Sequence, residues 1–329
     1  MTVRATFLDV GQGDCSIFLD EDRGCAIVVD APGAGRLALE AVLADARVLK
    51  PDLVVATHSD SDHVCGVVAM VRKLGAKEVR YNLDRALPSD PEERTRWRSQ
   101  SRALAGLEDK ETLVGPATEG VSGSVGSMNY LILSPSHAMV AMAQAISCPN
   151  RASAIVRISA GSCTFLLGGD ADSEGWGRLI DHGADIKADV FRVPHHGGAI
   201  VQRSGDRSDI SWDTLLAAVD ARLHVVSVGT DNRHRHPTRD ALLALGQRAD
   251  RARVTCTEVN LICAGSAPLP SPTTLPATAK AGLGGRVGGC RCAGTITVTV
   301  DSANWSVSPS RTEHEGIIHA LESPMCQSA

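Results

Sequence analysis

With 329 residues, 43% of them hydrophobic and 22% charged, the chain can bury a sizeable core in one large domain or two small ones. A formal net charge of −5 argues against the broad basic surface that wraps long duplexes, and four Phe, four Trp and two Tyr are too few for aromatic stacking platforms. No run approaches the roughly 20 apolar residues of a membrane span, and "MTVRATFLDV" leads straight into an alternating strand, so the expectation is a cytoplasmic chain without leader or membrane anchor. Its ten cysteines then read as reduced thiols or metal ligands.

In chain order, "RATFLDV", "CSIFLD" and "CAIVVDAPG" predict strands separated by turn signals such as "GQGD". "RLALEAVLADARVL" has helical spacing, "PDLVVATH" reads as a short buried strand, and "HVCGVVAMVRKLG" as an apolar helix ended by Gly75. Residues 82 to 127 read as a polar, helical excursion, followed by the strand "MNYLILSP". The second half repeats the pattern: strands at "ASAIVRISAG", "CTFLLGGD", "ADVFRVPHH" and "LHVVSVG", helices at "SEGWGRLIDHG" and "TRDALLALGQRA". A Pro/Gly/Thr-rich insertion at about 259–292 precedes the strand "AGTITVTV", and the whole of 1–329 is read as a single domain.

Three strand ends carry residues that ligate metals. In "THSDSDH" a strand ends at His58, and the following turn delivers Asp60, Asp62 and His63; the plainer alternative is a solvated acidic loop with Asp62 as a helix cap. "FLLGGDAD" runs a strand into Asp170, and "VFRVPHHGG" runs one into His195 and His196. A single Asp after a strand is commonly a turn former; three such ends in one chain point to a shared cation site.

These motifs resemble those of metallo-β-lactamase-fold hydrolases, specifically the hydrolase domain of ComEC-type competence proteins. The correspondence spans "LDVGQGD" (8 to 14), "THSDSDHVCG" (57 to 66), "GGD" (168 to 170), "HHGG" (195 to 198) and "SVGTDNRHRHP" (227 to 237). The resemblance implies an α/β fold, a four-layer αββα sandwich with two divalent metal ions at one edge. It assigns His58 and Asp60 mainly to one metal, Asp62 and His63 to the other, Asp170 as the bridge, and His196 or His195 to completing the second site. It places Asn150 and Ser153 of "CPNRASAIVRI" near the centre, where many relatives supply another His. Carboxylate in place of imidazole at Asp60 hardens the first site and favours Mn²⁺, with Mg²⁺ and Zn²⁺ as alternatives.

The expected chemistry is attack by a hydroxide activated between two cations, Asp62 being the ligand most closely tied to catalysis. The same resemblance sets Asp14 beside the ligands, brings the Gln12 turn near substrate, and makes Asn232 and His236 candidates for binding phosphate or protonating the leaving oxygen. His234 and Arg235, where the pattern has an aromatic residue and Gly, suit an anionic substrate. Cys65 and Gly198 are further departures, standing for Gly and Ser. Separately, Cys256, Cys263, Cys290 and Cys292 bracket the insertion and could staple it through a structural Zn²⁺.

The leading expectation is a phosphodiesterase or nuclease acting on single-stranded or short nucleic acid. A lactone, thioester or β-lactam hydrolase is the second, and a regulatory module with a degenerate site the third.

Overall fold

The structure, a computed structural model, describes residues 1–82, 84, 106–107, 112–203, 205–230, 232, 234–265, 289–324 and 326. Most of the expected polar excursion, and residues 266–288 of the expected insertion, lie outside this set. Its strands are β1 (Val3–Phe7), β2 (Ser16–Asp20), β3 (Cys25–Val29), β4 (Leu53–Val55), β5 (Glu78–Arg80), β6 (Leu113–Gly115), β7 (Ser122–Val125), β8 (Met128–Ser134), β9 (Ile155–Ala160), β10 (Cys163–Leu167), β11 (Val190–Arg192), β12 (Leu223–Val226), β13 (Arg253–Cys256), β14 (Ile296–Val300) and β15 (Trp305–Ser308).

They form two mixed sheets, in the orders β15-β14-β1-β2-β3-β4-β5-β6 and β13-β12-β11-β10-β9-β8-β7. Each sheet is antiparallel at one side and parallel at the other: β3 through β6 run parallel, as do β10 through β13.

Strand alternation explains the layers. Phe18 and Ile27 face the second sheet, where they meet Val156, Phe165 and Val225 in a shared core. Their neighbours Ile17, Leu19, Ala26 and Val28 face the other way, under the helices α1 (Arg36–Asp45), α2 (Ser61–Val64) and α3 (Val67–Leu74), which contribute Leu39, Leu43 and Met70. On the far side, Leu166, Phe191 and Val226 pack beneath Trp176, Trp212 and Leu245. Those three come from α5 (Ser173–Asp181), α6 (Trp212–Val219) and α7 (Arg239–Gly246), with α4 (His137–Ile146) earlier in the chain. Period-two apolar residues on both faces of both sheets therefore dictate helix, sheet, sheet, helix. Phe18 stacks edge-on against Phe165 at 5.1 Å, joining the sheets at their centre.

Two sequence expectations change. The helix expected over "HVCGVVAMVRKLG" breaks at Cys65–Gly66, because Gly66 N–H turns aside to donate to Ala31 O at 2.6 Å. Within 82–127, the described residues contain the strands β6 and β7 instead of helix, as befits the Gly/Ser-rich "SGSV", whose residues are poor helix formers. Among the described residues, no helix is long and apolar enough to cross a membrane.

A candidate metal centre at the ends of five parallel strands

The candidate donors gather where parallel strands from both sheets end. Asp30 follows β3, His58 follows β4, Asp170 follows β10, His195 and His196 follow β11, and Ser227 follows β12. Chain direction, common to all five, brings their carboxyl ends to one edge of the sandwich. The turn after β11 is tight: His195 and His196 both adopt left-handed backbone, with φ of 52° and 53°. Two consecutive non-glycine residues in that region are unfavourable, and such strain concentrates at functional sites. Here it turns both imidazoles toward Asp170.

Asp170 is buried and its amide donates to Ser153 Oγ at 2.9 Å. Its two carboxylate oxygens face different partners. Oδ1 lies 3.2 Å from His63 Nε2 and 3.7 Å from His196 Nε2. Oδ2 lies 3.7 Å from His58 Nε2 and 3.9 Å from His195 Nε2. Asp60 Oδ2 stands 3.5 Å from His58 Nε2, and Asp62 Oδ2 stands 3.5 Å from His196 Nε2. Each oxygen of Asp170 thus looks onto two imidazoles, with one more carboxylate beside each pair. Both members of the "HHGG" pair take part in this arrangement, one on each side.

The far nitrogens of these rings are held from behind. His63 Nδ1 lies 2.8 Å from Asp30 Oδ2, His196 Nδ1 2.9 Å from Ser227 O, and His195 Nδ1 2.9 Å from Ala199 O. A carboxylate or carbonyl behind Nδ1 fixes the proton there and leaves Nε2 to accept a proton or a metal ion. His63 Nε2 and His196 Nε2 face each other at 3.3 Å, and buried His58 Nε2 has no hydrogen-bond partner. Lone pairs that converge in this way require a cation between them. The donor atoms of His58, His63 and Asp170 lie within 4.8 Å of one another, as do those of Asp14, His63 and His196, and among the described residues these are the groups that close so tightly.

Electrostatics agrees. Burial disfavours charge on His63, yet the carboxylates of Asp170 and Asp30 outweigh it and lift its pKa well above the ordinary value. Burial likewise opposes charge on His196, but Asp14 and Asp170 overcome burial and raise its pKa to about 10. Asp170 sits well below the usual carboxylate range because His63 and His196 outweigh its burial. The pocket demands positive charge, which protons or divalent ions can supply.

The other expected residues lie around these ligands. Asp14 is buried beside the ligands, accepting from Arg192 Nη2 at 2.6 Å, with His196 Nδ1 at 3.1 Å. Its loop is pressed onto the ligand turn: Gly13 has φ +132°, and a Cβ there would lie 2.5 Å from Asp62 O. Asn232 spends its side chain on its own loop, donating to Gly229 O and His236 O and accepting from His236 N, each at 2.8 Å. Ser153 is buried behind Asp170. Gln12 Oε1 lies 3.5 Å from Gly229 N, and Asn150 reaches His195 indirectly, through Gln202.

His236 packs edge-on against His195 at 4.7 Å, while His234 stacks on His236 at 5.8 Å. His234 and Arg235 are exposed. Burial, then His195 and His196, depress the His236 pKa to about 4. At the ligand turn the helix cap is Asp60 instead of Asp62, and its side chain makes no cap hydrogen bond, because Asp60 O already accepts from His63 N and Val64 N.

Sequence reading assigned no role to Asp30, Arg192 or Asp84. Asp84 is buried near His58 and accepts from Ser59 N at 2.7 Å. Asp30 carried a usable signal, since it too is an acid closing an apolar strand. Of the four cysteines expected to form a staple, Cys256, Cys263 and Cys292 share one electrostatic neighbourhood, whereas Cys290 faces Glu258.

Comparison with known proteins supplies the ancestry of this arrangement. The profile of the Metallo-beta-lactamase superfamily matches residues 8–223. ComE operon protein 3 of Bacillus subtilis (strain 168) is 21% identical over 263 residues, which are 74% of this chain and 30% of that protein. The chain therefore spans less than a third of the curated relative it matches. Solved structures with a similar fold include the metallo-beta-lactamase fold protein YhfI from Bacillus subtilis, at TM-score 0.43 and 14% identity, covering 68% of this chain and 85% of that one. Another is the metallo hydrolase Igni18 from Ignicoccus hospitalis, at TM-score 0.45 and 17% identity, covering 78% and 95%.

Proposed function

The chain belongs to the metallo-β-lactamase superfamily, and we propose that it is a metal-dependent phosphodiesterase that cleaves single-stranded or short nucleic acid. The observation that carries this reading is the division of Asp170 between two pairs of histidines. His58, Asp60, His195 and Asp170 Oδ2 would hold one divalent ion; His63, Asp62, His196 and Asp170 Oδ1 would hold the other. Two nitrogens and two carboxylate oxygens in each set, with no thiolate, suit Mn²⁺, leave Zn²⁺ competent, and admit Mg²⁺. When bound, such a pair supplies Lewis acidity toward a phosphoryl oxygen and lowers the pKa of water.

The remaining work belongs to side chains. Asp14, neutralised by Arg192, steadies His196 from behind. His236 lies beside the centre, edge-on to His195, where its imidazole can bind a phosphate oxygen or pass a proton to the leaving oxygen. His234 and Arg235, exposed at the rim, suit a phosphate backbone, and Asn232 keeps their loop in shape. The ComEC-type motif order favours nucleic acid as the substrate, while the net charge of −5 favours short contacts over long ones.

Purified protein loaded with Mn²⁺, Zn²⁺ or Mg²⁺ should be given DNA, RNA, bis-p-nitrophenyl phosphate and a chromogenic β-lactam, with Asp62→Ala alongside. Phosphodiester cleavage that the variant loses supports the reading. Lactam cleavage alone, or phosphodiester cleavage equal in the variant, overturns it.

A further inference from the structure

Next to β4 in the first sheet, β5 also runs parallel and ends at the edge that carries the donors, with Val54 opposite Val79 and Val55 opposite Arg80. Ala56 N extends this pairing by donating to Arg80 O at 2.9 Å. Beyond β5 the chain is clamped by the buried side chain of Asn82. Its Nδ2 donates to Ala117 O at 2.8 Å and to Ala152 O at 3.2 Å, and its Oδ1 accepts from Ala117 N at 3.1 Å. Ala152 precedes Ser153, whose hydroxyl accepts from the Asp170 amide, so the clamp ties the end of β5 to the backing of the centre. Two residues further on stands Asp84, 1% exposed. Its Oδ2 accepts from Ser59 N at 2.7 Å, while its Oδ1 is buried without a hydrogen-bond partner.

We propose that Asp84 is the positioning residue of the His58–Asp60 half of the centre: through Ser59 it sets the turn that presents both ligands, and it lends its negative charge to that half. This role presupposes the two ions proposed around Asp170 and distinguishes one of them from the other.

Gripping Ser59 N requires only an acceptor, which Asn supplies as well as Asp, so the choice of a carboxylate needs a second cause. A carboxylate oxygen buried without a donor is costly, and a neutral side chain would relieve that cost. Such a group points to a partner that completes it, and a nearby cation does so. His58 Nε2, on the residue before Ser59, is also buried without a partner. A nitrogen lone pair and a carboxylate oxygen, left open on residues that meet at one peptide unit, call for the same positive charge. The other half of the centre differs, because Asp14, the carboxylate behind His196, is already neutralised by Arg192. Asp84 therefore trades stability of the metal-free chain for affinity on one side.

Asp84→Asn keeps the acceptor for Ser59 N and removes the charge. Metal-free Asp84→Asn should unfold at a higher urea concentration than the unmutated chain. Titration calorimetry with Mn²⁺ should show one of the two binding steps weakened about 10- to 100-fold and the other unchanged. The weakened step should be the one that Asp60→Asn also weakens, and the unchanged step the one that Asp62→Asn weakens. Asp84→Ala, which removes acceptor and charge together, should weaken the same step further and have a lower urea midpoint than Asp84→Asn. Two steps of unmutated strength in Asp84→Asn, equal weakening of both, or a lowered midpoint in its metal-free form would overturn the proposal and leave the two-ion reading in place. A single binding step in the unmutated chain would overturn both. Binding is read without a substrate, so failure to cleave phosphodiesters has no bearing on the result.

Discussion

Asp30 Oδ2 stands 2.8 Å from His63 Nδ1 while the same side chain accepts from Thr57 N at 2.7 Å, so one carboxylate from β3 orients a ligand from the turn after β4. Asn in its place would keep the left-handed backbone at this position, φ 61°, because Asn tolerates that region. It would remove the charge behind the ring. Asp30→Asn should therefore weaken affinity for the metals about 10- to 100-fold and leave the fold intact. Competition against a chelator, with circular dichroism as control, measures both.

Arg192 is 2% exposed and bonded to Asp14 and to Ser16 Oγ, with its guanidinium 5.9 Å from the Phe7 ring. Removing it strands a buried carboxylate. Arg192→Met should lower stability by about 3–5 kcal/mol, and Asp14→Asn in the same chain should recover part of that loss. Urea unfolding of the two single variants and the double variant reads the coupling; additive losses would show that the pair is not an energetic unit.

Gly198 stands where the ComEC-type pattern has Ser, and the structure explains the difference. A Cβ at 198 would lie 2.5 Å from His236 Cε1 and 2.8 Å from His195 O. Gly198→Ser should push His236 aside and reduce kcat on a phosphodiester on the order of 100-fold, with bound metal unchanged. Metal analysis beside steady-state kinetics separates this from loss of the centre.

His224, in β12, is buried with neither ring nitrogen hydrogen-bonded, its ring edge-on to Phe191. Burial, with Arg248, depresses its pKa from 6.5 to about 4. Between those values the unfolded chain takes up a proton that the folded chain refuses. Stability present above about pH 6.5 is therefore lost as pH falls toward 4, on the order of 3 kcal/mol from this group. His224→Leu should flatten that limb in urea midpoints measured from pH 7 to 4.5.

Much of the architecture was legible because it rests on local rules. Alternation in "CSIFLD" and "CAIVVD" gives the two faces of a sheet, and acids or histidines after apolar runs mark strand ends that share an edge. The α6 helix was legible and missed: Ser211 caps it, and buried Trp212, Leu215, Leu216 and Val219 follow helical spacing. The α4 helix was not, since Ala143 is its one buried residue and no apolar stripe announces it. Arg192 could not be read because its partner Asp14 lies 178 residues away, in the loop that leads into β2 of the other sheet. Cys290 and Cys292 are two apart, but Cys290 N–H donates to Thr230 Oγ1 while Cys292 Sγ turns to His314, and the turn between them sends the two thiols to different neighbours.

In the proposed centre, Asp170 would join two cations into one phosphodiester-cleaving site. Titrating metal-free protein with Mn²⁺ while recording cleavage of a labelled single-stranded oligonucleotide tests it most directly, because stoichiometry and activity come from one curve. Activity should rise only as the second equivalent binds, and Asp170→Asn should abolish it. Full activity at one equivalent, or two bound ions without cleavage of any phosphodiester, would contradict it.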